Sequence, residues 1–226
     1  MDLQTSFSTS KVLSKKNIEI LFHGLDTYAD VYLNGTNVIC ANNMFHPWSA
    51  QIKDIVGDGD NELLVQFRSP LKEVVEKMKS MDYALPADND QAGKTSPHTR
   101  KAPYHYGWDW GPCLVTSGIW KGVELIGWDD WHVTHFQVSN KSVSKDNAEL
   151  KVELEVVAEI QETLKITLSE LITGNEFKQA YKMKSGVNNL SFNISITNPQ
   201  LWWPHGHGDQ IPVSYTHLRA HETRFY

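Results

Sequence analysis

Residues 17–41 read NIEILFHGLDTYADVYLNGTNVICA, and their alternation decides the fold class. Successive side chains of a strand point to opposite faces, so Ile18, Ile20 and Phe22 share one face of an extended segment at 17–22. A second strand-like run, 28–33 (YADVYL), leads into Asn34-Gly35, and 36–41 (TNVICA) returns. Asn-Gly between two apolar runs is the strongest short hairpin signal, because a tight hairpin turn needs φ > 0 at both central residues.

The same signals recur outward from this stretch. Residues 51–56 read as a short strand, GDGDN at 57–61 as a turn, and ELLVQF at 62–67 as the next strand. Leu71, Val74, Val75 and Met78 fall at i, i+3, i+4 and i+7, predicting one helix over 71–80 with Pro70 at its start. Residues 82–107 carry no period and hold Pro86, Pro97 and Pro103; an irregular excursion of that length in a compact domain is functional or disordered. Strands resume at 119–126. The run GWDDW at 127–131 marks a boundary near residue 129. Beyond it come a strand at 132–138, a turn near 140–146, clean alternation over 147–158, and strands at 163–169 and 188–196. Turn signals every 8–12 residues predict β-sandwiches. The last stretch, 211–226 (IPVSYTHLRAHETRFY), has no sustained period and reads as foreign to the fold.

The 226 residues suffice for one large or two modest β domains, and 40% hydrophobic with 21% charged residues is ordinary for a globular chain. A net charge of −6 with scattered Lys and Arg disfavours nucleic acid as a partner. No apolar run approaches the roughly 20 residues that span a bilayer. The N-terminus, MDLQTSFSTSKVLSKKN, shows no apolar secretory core. Cys40 and Cys113 form no metal or redox spacing and are expected to be buried free thiols.

Chemistry concentrates in residues 98–112, HTRKAPYHYGWDWGP. Asp109 sits between Trp108 and Trp110, fenced by Gly107 and by Gly111-Pro112. The glycines and the proline predict a tight turn. An indole offers an apolar face to the C–H side of a sugar ring, and a carboxylate accepts hydrogen bonds from its hydroxyls. The competing reading is structural: tryptophan in a β-rich domain is ordinarily core, and the acid between two can cap a turn. Other clusters are weaker. Asp58, Asp60 and Glu62 lack the Gly and Glu that a calcium loop requires, and read as an acidic turn. His205 and His207 in LWWPHGHGD have no third ligand and read as a turn. Asp82, Asp88, Asp90 and Asp109 form no pair that spacing supports for glycosidic cleavage, and Asp129-Asp130 reads as a turn. Four glycosylation sequons begin at Asn34, Asn140, Asn189 and Asn193. No metal site and no cofactor are expected.

Six blocks in order, GLDTYADVYLNG (24–35), NMFHPW (43–48), NELLVQFRSP (61–70), RKAPYHYGWDWGP (100–112), SGIWKGVEL (117–125) and LWWPHGHGDQ (201–210), resemble the N-terminal half of the β-mannosidases of glycoside hydrolase family 2. GWDWGP favours the mannosidase branch over the β-galactosidase and β-glucuronidase branches. The resemblance implies an all-β chain: a galactose-binding-like jelly-roll sandwich at 1–129, truncated at its start, and an incomplete immunoglobulin-like sandwich at 130–210. The catalytic (β/α)8 barrel would lie outside the chain, since a barrel needs about 250 residues. The resemblance further implies a retaining hydrolase of β-mannosides or manno-oligosaccharides. Asp109, with Trp108 beside it, would bind the terminal mannose; no catalytic residue would lie in this chain, which alone would be inactive. Missing edge strands would leave it marginally stable and prone to associate. Two other readings stand beside this one: a free-standing carbohydrate-binding module, and an adhesion sandwich in which Asp109 serves an internal hydrogen-bond network.

Overall fold

Ile18, Ile20 and Phe22 are almost wholly buried, as the alternation requires, and so are Ala29, Val31 and Leu33 of the facing run. They belong to a computed structural model that describes the backbone of residues 1–9, 11–170, 176–210, 215–218 and 223–225. The chain divides into two units, Met1–Gly127 with Thr223–Tyr226, and Trp128–Glu222.

The first unit contains, in chain order, β1 (Asp2–Ser8), β2 (Asn17–Phe22), β3 (Leu25–Asp26), β4 (Tyr28–Leu33), β5 (Thr36–Asn42), β6 (Trp48–Gln51), β7 (Asp60–Arg68), β8 (Gly118–Ile119) and β9 (Val123–Trp128). One sheet has the order β1-β7-β4-β5; β9, β2 and β6 build a second, and β3 pairs with β8. Residues of β2, β4, β5 and β7 interleave in one apolar core between the sheets, which makes a sandwich. Each Val, Leu, Ile or Phe side chain buried there contributes about 1.5–3 kcal/mol. Asn34 and Gly35 take φ of 49° and 79°, the left-handed pair that the Asn-Gly signal predicts. The Asn34 amide also donates to the Ile55 carbonyl and to Asn61 Oδ1, and its own oxygen accepts from Glu62 N.

The second unit contains β10 (Trp131–Val143), β11 (Asn147–Ala158), β12 (Thr163–Glu170), β13 (Glu176–Lys182) and β14 (Gly186–Thr197). The sheets β10-β11-β14 and β13-β12 are antiparallel and enclose a second core. Along β11 every second residue from Ala148 to Ala158 is buried, a full match to the predicted alternation. Of the tail, β15 (Tyr215–Leu218) pairs with β12 and β16 (Thr223–Phe225) with β9. The expectation that 211–226 is foreign to the fold falls largely outside the described residues. Among the described residues no full-length helices alternate with strands, so there is no (β/α)8 barrel, and no helix is long and apolar enough to cross a membrane.

Several expectations need correction. The strand expected at 51–56 ends at Gln51. Ile52, Ile55 and Val56 have helical spacing, and the amides of Ile55 and Val56 both bond the Ile52 carbonyl, forming a turn. The single helix over 71–80 is two short ones, α1 (Pro70–Glu73) and α2 (Val75–Lys79), broken at Val74, whose ψ of −7° departs from the helical value. The strand at 119–126 is interrupted at 120–122, where Trp120 N bonds the Gly24 carbonyl and His23 N bonds the Gly122 carbonyl. The turn expected at 140–146 is shorter, because β10 continues to Val143 across a register shift at Asn140/Ser142. β1 and β13 were not anticipated. Both cysteines are free, but neither is buried. Cys40 occupies an outward position of β5 between buried Ile39 and Ala41, and Cys113 is half-buried.

Candidate functional site

The irregular excursion becomes an ordered loop because one buried ion pair closes its base. Asp26 ends β3, and Lys101 opens the aromatic stretch; the two are 4% and 3% exposed. Lys101 Nζ donates to Asp26 Oδ2 and, at 2.8 Å, to the Thr116 carbonyl on the returning limb. Thr27 Oγ1 donates to Asp26 Oδ1 at 2.5 Å. Burial of a charge is tolerated where it is paired and hydrogen-bonded; here the two charges pair with each other and each makes one further bond, Asp26 with Thr27 Oγ1 and Lys101 with the Thr116 carbonyl. A second rung forms where Leu114 N donates to the His105 carbonyl at 3.0 Å.

The loop rises through a 3-10 turn at Pro103–Tyr106, with Tyr106 fully buried, into Gly107. Burial pushes the Tyr106 phenol well above its usual value, so it stays neutral. Gly107 has φ of 101°, and a Cβ there would lie 2.8 Å from Gln91 Cδ. Only glycine meets both conditions. Gln91 braces this point from the side: its amide donates to the Tyr106 carbonyl at 2.8 Å and its Nε2 to the Trp108 carbonyl at 2.9 Å. The tip is a tight turn closed by Gly111 N on the Trp108 carbonyl at 3.2 Å.

Trp108 and Trp110 are 40% and 82% exposed, so the core reading of these indoles fails. Their rings meet edge to face with centroids 5.5 Å apart. Asp109 between them is exposed and makes no hydrogen bond or ion pair with a described residue. The internal network required by an adhesion reading is therefore absent among the described residues. An outward carboxylate flanked by two bare indoles can accept two neighbouring hydroxyls of a ligand while a ring covers its apolar face.

His105 lies beneath the tip, with Nδ1 3.7 Å from Asp26 Oδ2. Burial, then the neighbouring Lys101 ammonium, hold its pKa below the usual value; the Asp26 carboxylate pulls the other way and loses. The folded protein thus binds this proton less readily than the unfolded chain does. Stability is unaffected at pH 7 and above and falls as the pH drops below about 6.5, where only the unfolded histidine is protonated. We expect His105→Gln to lessen the fall in thermal midpoint between pH 7 and pH 5.5. An unchanged fall would remove His105 from the acid response.

The other carboxylates are accounted for locally. Asp90 is buried and caps its own loop, accepting from Ala92 N at 2.6 Å and Ser96 N at 2.8 Å. Asp82 and Asp88 are exposed, and so are Asp58, Asp60 and Glu62 around the turn into β7. His205 and His207 lie in a turn closed by His207 N on the Pro204 carbonyl at 3.0 Å. Among the described residues no three His, Cys, Asp or Glu side chains gather to hold a metal. A groove of about 590 Å³ on the second unit, lined in part by Leu150, Trp202 and Trp203, carries no ionisable side chain among the described residues. Asp26, Lys101, His105 and Gln91 were not singled out from the sequence. The available signal was that the blocks at 24–35 and 100–112 hold acids, Asp26 and Asp30, and bases, Arg100 and Lys101, without an assigned role.

Comparison with known proteins gives a consistent context. Residues 2–121 match the family model described as glycosyl hydrolase 2 galactose-binding domain-like, and residues 131–217 match glycosyl hydrolases family 2. Beta-mannosidase B of Aspergillus niger is 32% identical over 206 residues, covering 88% of this chain and 24% of that protein. Beta-mannosidase B of Emericella nidulans is 31% identical over 215 residues, covering 90% and 24%. The crystal structure of a beta-D-mannosidase from Dictyoglomus thermophilum superposes with a TM-score of 0.82 at 33% identity, covering 92% of this chain and 26% of that one. A family 2 beta-glucuronidase, 21% identical with a TM-score of 0.62, covers 89% and 20% and shares the fold. The chain spans about a quarter of the length of the curated relatives it matches.

Proposed function

The chain belongs to glycoside hydrolase family 2, and from that membership we propose that it is the substrate-edge portion of a retaining β-mannosidase. Hydrolysis of a glycoside suits the family. The finer assignment, terminal non-reducing β-D-mannose, draws on the β-mannosidase relatives and on the Trp-Asp-Trp tip. The observation that carries it is Asp109: a carboxylate without a partner among the described residues, presented between two exposed indoles on a braced turn.

In this reading Asp109 accepts hydrogen bonds from two adjacent hydroxyls of the terminal mannose, and Trp108 shapes the pocket beside it. A retaining mechanism needs an acid and a nucleophilic carboxylate about 5–5.5 Å apart, the second forming a covalent glycosyl-enzyme that water then hydrolyses. We assign neither role to a residue of this chain; the remainder of a longer protein would supply both. The division we propose is a galactose-binding-like domain at 1–129 and an immunoglobulin-like domain at 130–210.

The test compares a complete protein carrying this chain with the 226-residue chain itself. The complete protein is expected to cleave aryl β-mannosides in preference to β-galactosides and β-glucuronides. The chain alone is expected to cleave none, and to give no binding heat with mannobiose. Preference for galactosides would overturn the branch assignment. Turnover by the chain alone would overturn the division of labour, and tight mannobiose binding would favour the free-standing module.

A further inference from the structure

We propose that Gln91 and the buried Asp26–Lys101 pair are positioning residues for Asp109, holding the 101–116 loop so that its tip presents the carboxylate to a sugar. The inference rests on the substrate-binding role of Asp109 given above. None of the three side chains lies at the tip. Asp26 and Lys101 fix the base of the loop and Gln91 its neck.

At the base, Lys101 Nζ ties β3 to both limbs at once, through Asp26 Oδ2 and the Thr116 carbonyl. Between base and tip, the bond from Leu114 N to the His105 carbonyl keeps the limbs in register. At the neck, Gln91 holds two carbonyls of the ascending limb, one on either side of Gly107: that of Tyr106 through its backbone amide and that of Trp108 through its side chain. The Trp108 carbonyl is also the acceptor that closes the turn around Asp109. Gln91 therefore orients the peptide from which the carboxylate is hung. Gly107 has no side chain to resist rotation, and its φ of 101° is kept by what surrounds it, chiefly the Gln91 side chain stacked where a Cβ would stand. Placement to within a fraction of an ångström is what such a brace provides, and misplacement by about 1 Å can cost a hundredfold in rate.

Gln91 itself is exposed, so its replacement is expected to leave the fold intact, with the thermal midpoint as the check. Gln91→Glu keeps the size of the side chain while removing the N–H that holds the Trp108 carbonyl; Gln91→Ala removes both bond and packing. The experiment measures kcat/KM for an aryl β-mannoside in a complete protein carrying this chain, for each variant alone and combined with Asp109→Ala. Each Gln91 variant is expected to lose about tenfold alone and nothing further beside Asp109→Ala, because the brace acts only through that carboxylate. Lys101→Met, where it folds, is expected to show the same pattern; where it does not fold, the Gln91 variants decide. A merely structural role would give the same factor in both backgrounds. Full additivity, or wild-type activity of Gln91→Glu, overturns the inference while Asp109 keeps its role. Wild-type activity of Asp109→Ala overturns that role and this inference with it.

Discussion

Asp109→Ala in a complete protein carrying this chain is expected to lower kcat/KM for aryl β-mannosides by roughly a hundredfold or more, with the thermal midpoint unmoved. Two charge-assisted hydrogen bonds to adjacent hydroxyls are lost, each contributing about 1.5–3 kcal/mol, and about 1.4 kcal/mol is tenfold in rate. The stability half of the expectation comes from the structure. Asp109 is exposed and bonds no described residue, so its removal orphans nothing. Asp109→Asn should fall between, since an amide keeps one acceptor and loses the charge. The paired measurement is steady-state kinetics with thermal unfolding. Activity within threefold of the parent, or a large drop in midpoint, would show that Asp109 serves the fold or nothing, and the sugar would have to be held elsewhere.

The second large effect falls on stability. Lys101→Met is expected to destabilise the first unit by about 3–5 kcal/mol, the cost of leaving a buried carboxylate without its counter-charge. The Thr116 carbonyl loses its donor as well. A domain of this size has only about 5–15 kcal/mol in hand, so the midpoint of urea unfolding should shift visibly. The double variant Asp26→Asn with Lys101→Met removes both charges and is expected to recover most of the loss, because the larger penalty belongs to the survivor and not to the missing bond. A single variant within 1 kcal/mol of the parent would mean that water reaches Asp26 and that the pair does not close the loop.

Local pattern explains why some elements were legible and others were not. The hairpin around Asn34-Gly35 and the alternation of β11 are set by neighbours in sequence, so propensity, turn chemistry and burial agree. β1 and β13 have mostly exposed residues, so no apolar alternation advertises them. The 52–56 turn shows the reverse: three apolar residues suit either a strand or a helical turn, and the bonds to the Ile52 carbonyl settled it. Cys40 misled because an apolar setting in sequence is not burial; its neighbours on either side take the inward positions of β5.

The Trp-Asp-Trp unit divides the same way. Its turn was legible from Gly107, Gly111 and Pro112, whose backbone demands are local. Whether the indoles pack inward or outward was not, since that depends on what the rest of the loop leaves room for. Tyr106, fully buried, takes the inward place, and the two tryptophans stay outside.

By itself, then, the order of residues determined an all-β sandwich fold, the hairpin at Asn34-Gly35 and a turn around one acid, because strand alternation and φ > 0 at particular residues are properties of adjacent positions. Tertiary structure alone decided that Asp109 is exposed and bonds no described residue, and that Lys101 finds Asp26 across 75 residues of chain. Pairing at that separation is fixed by which strands stack and by the cost of a buried charge left alone, and no short-range pattern encodes either.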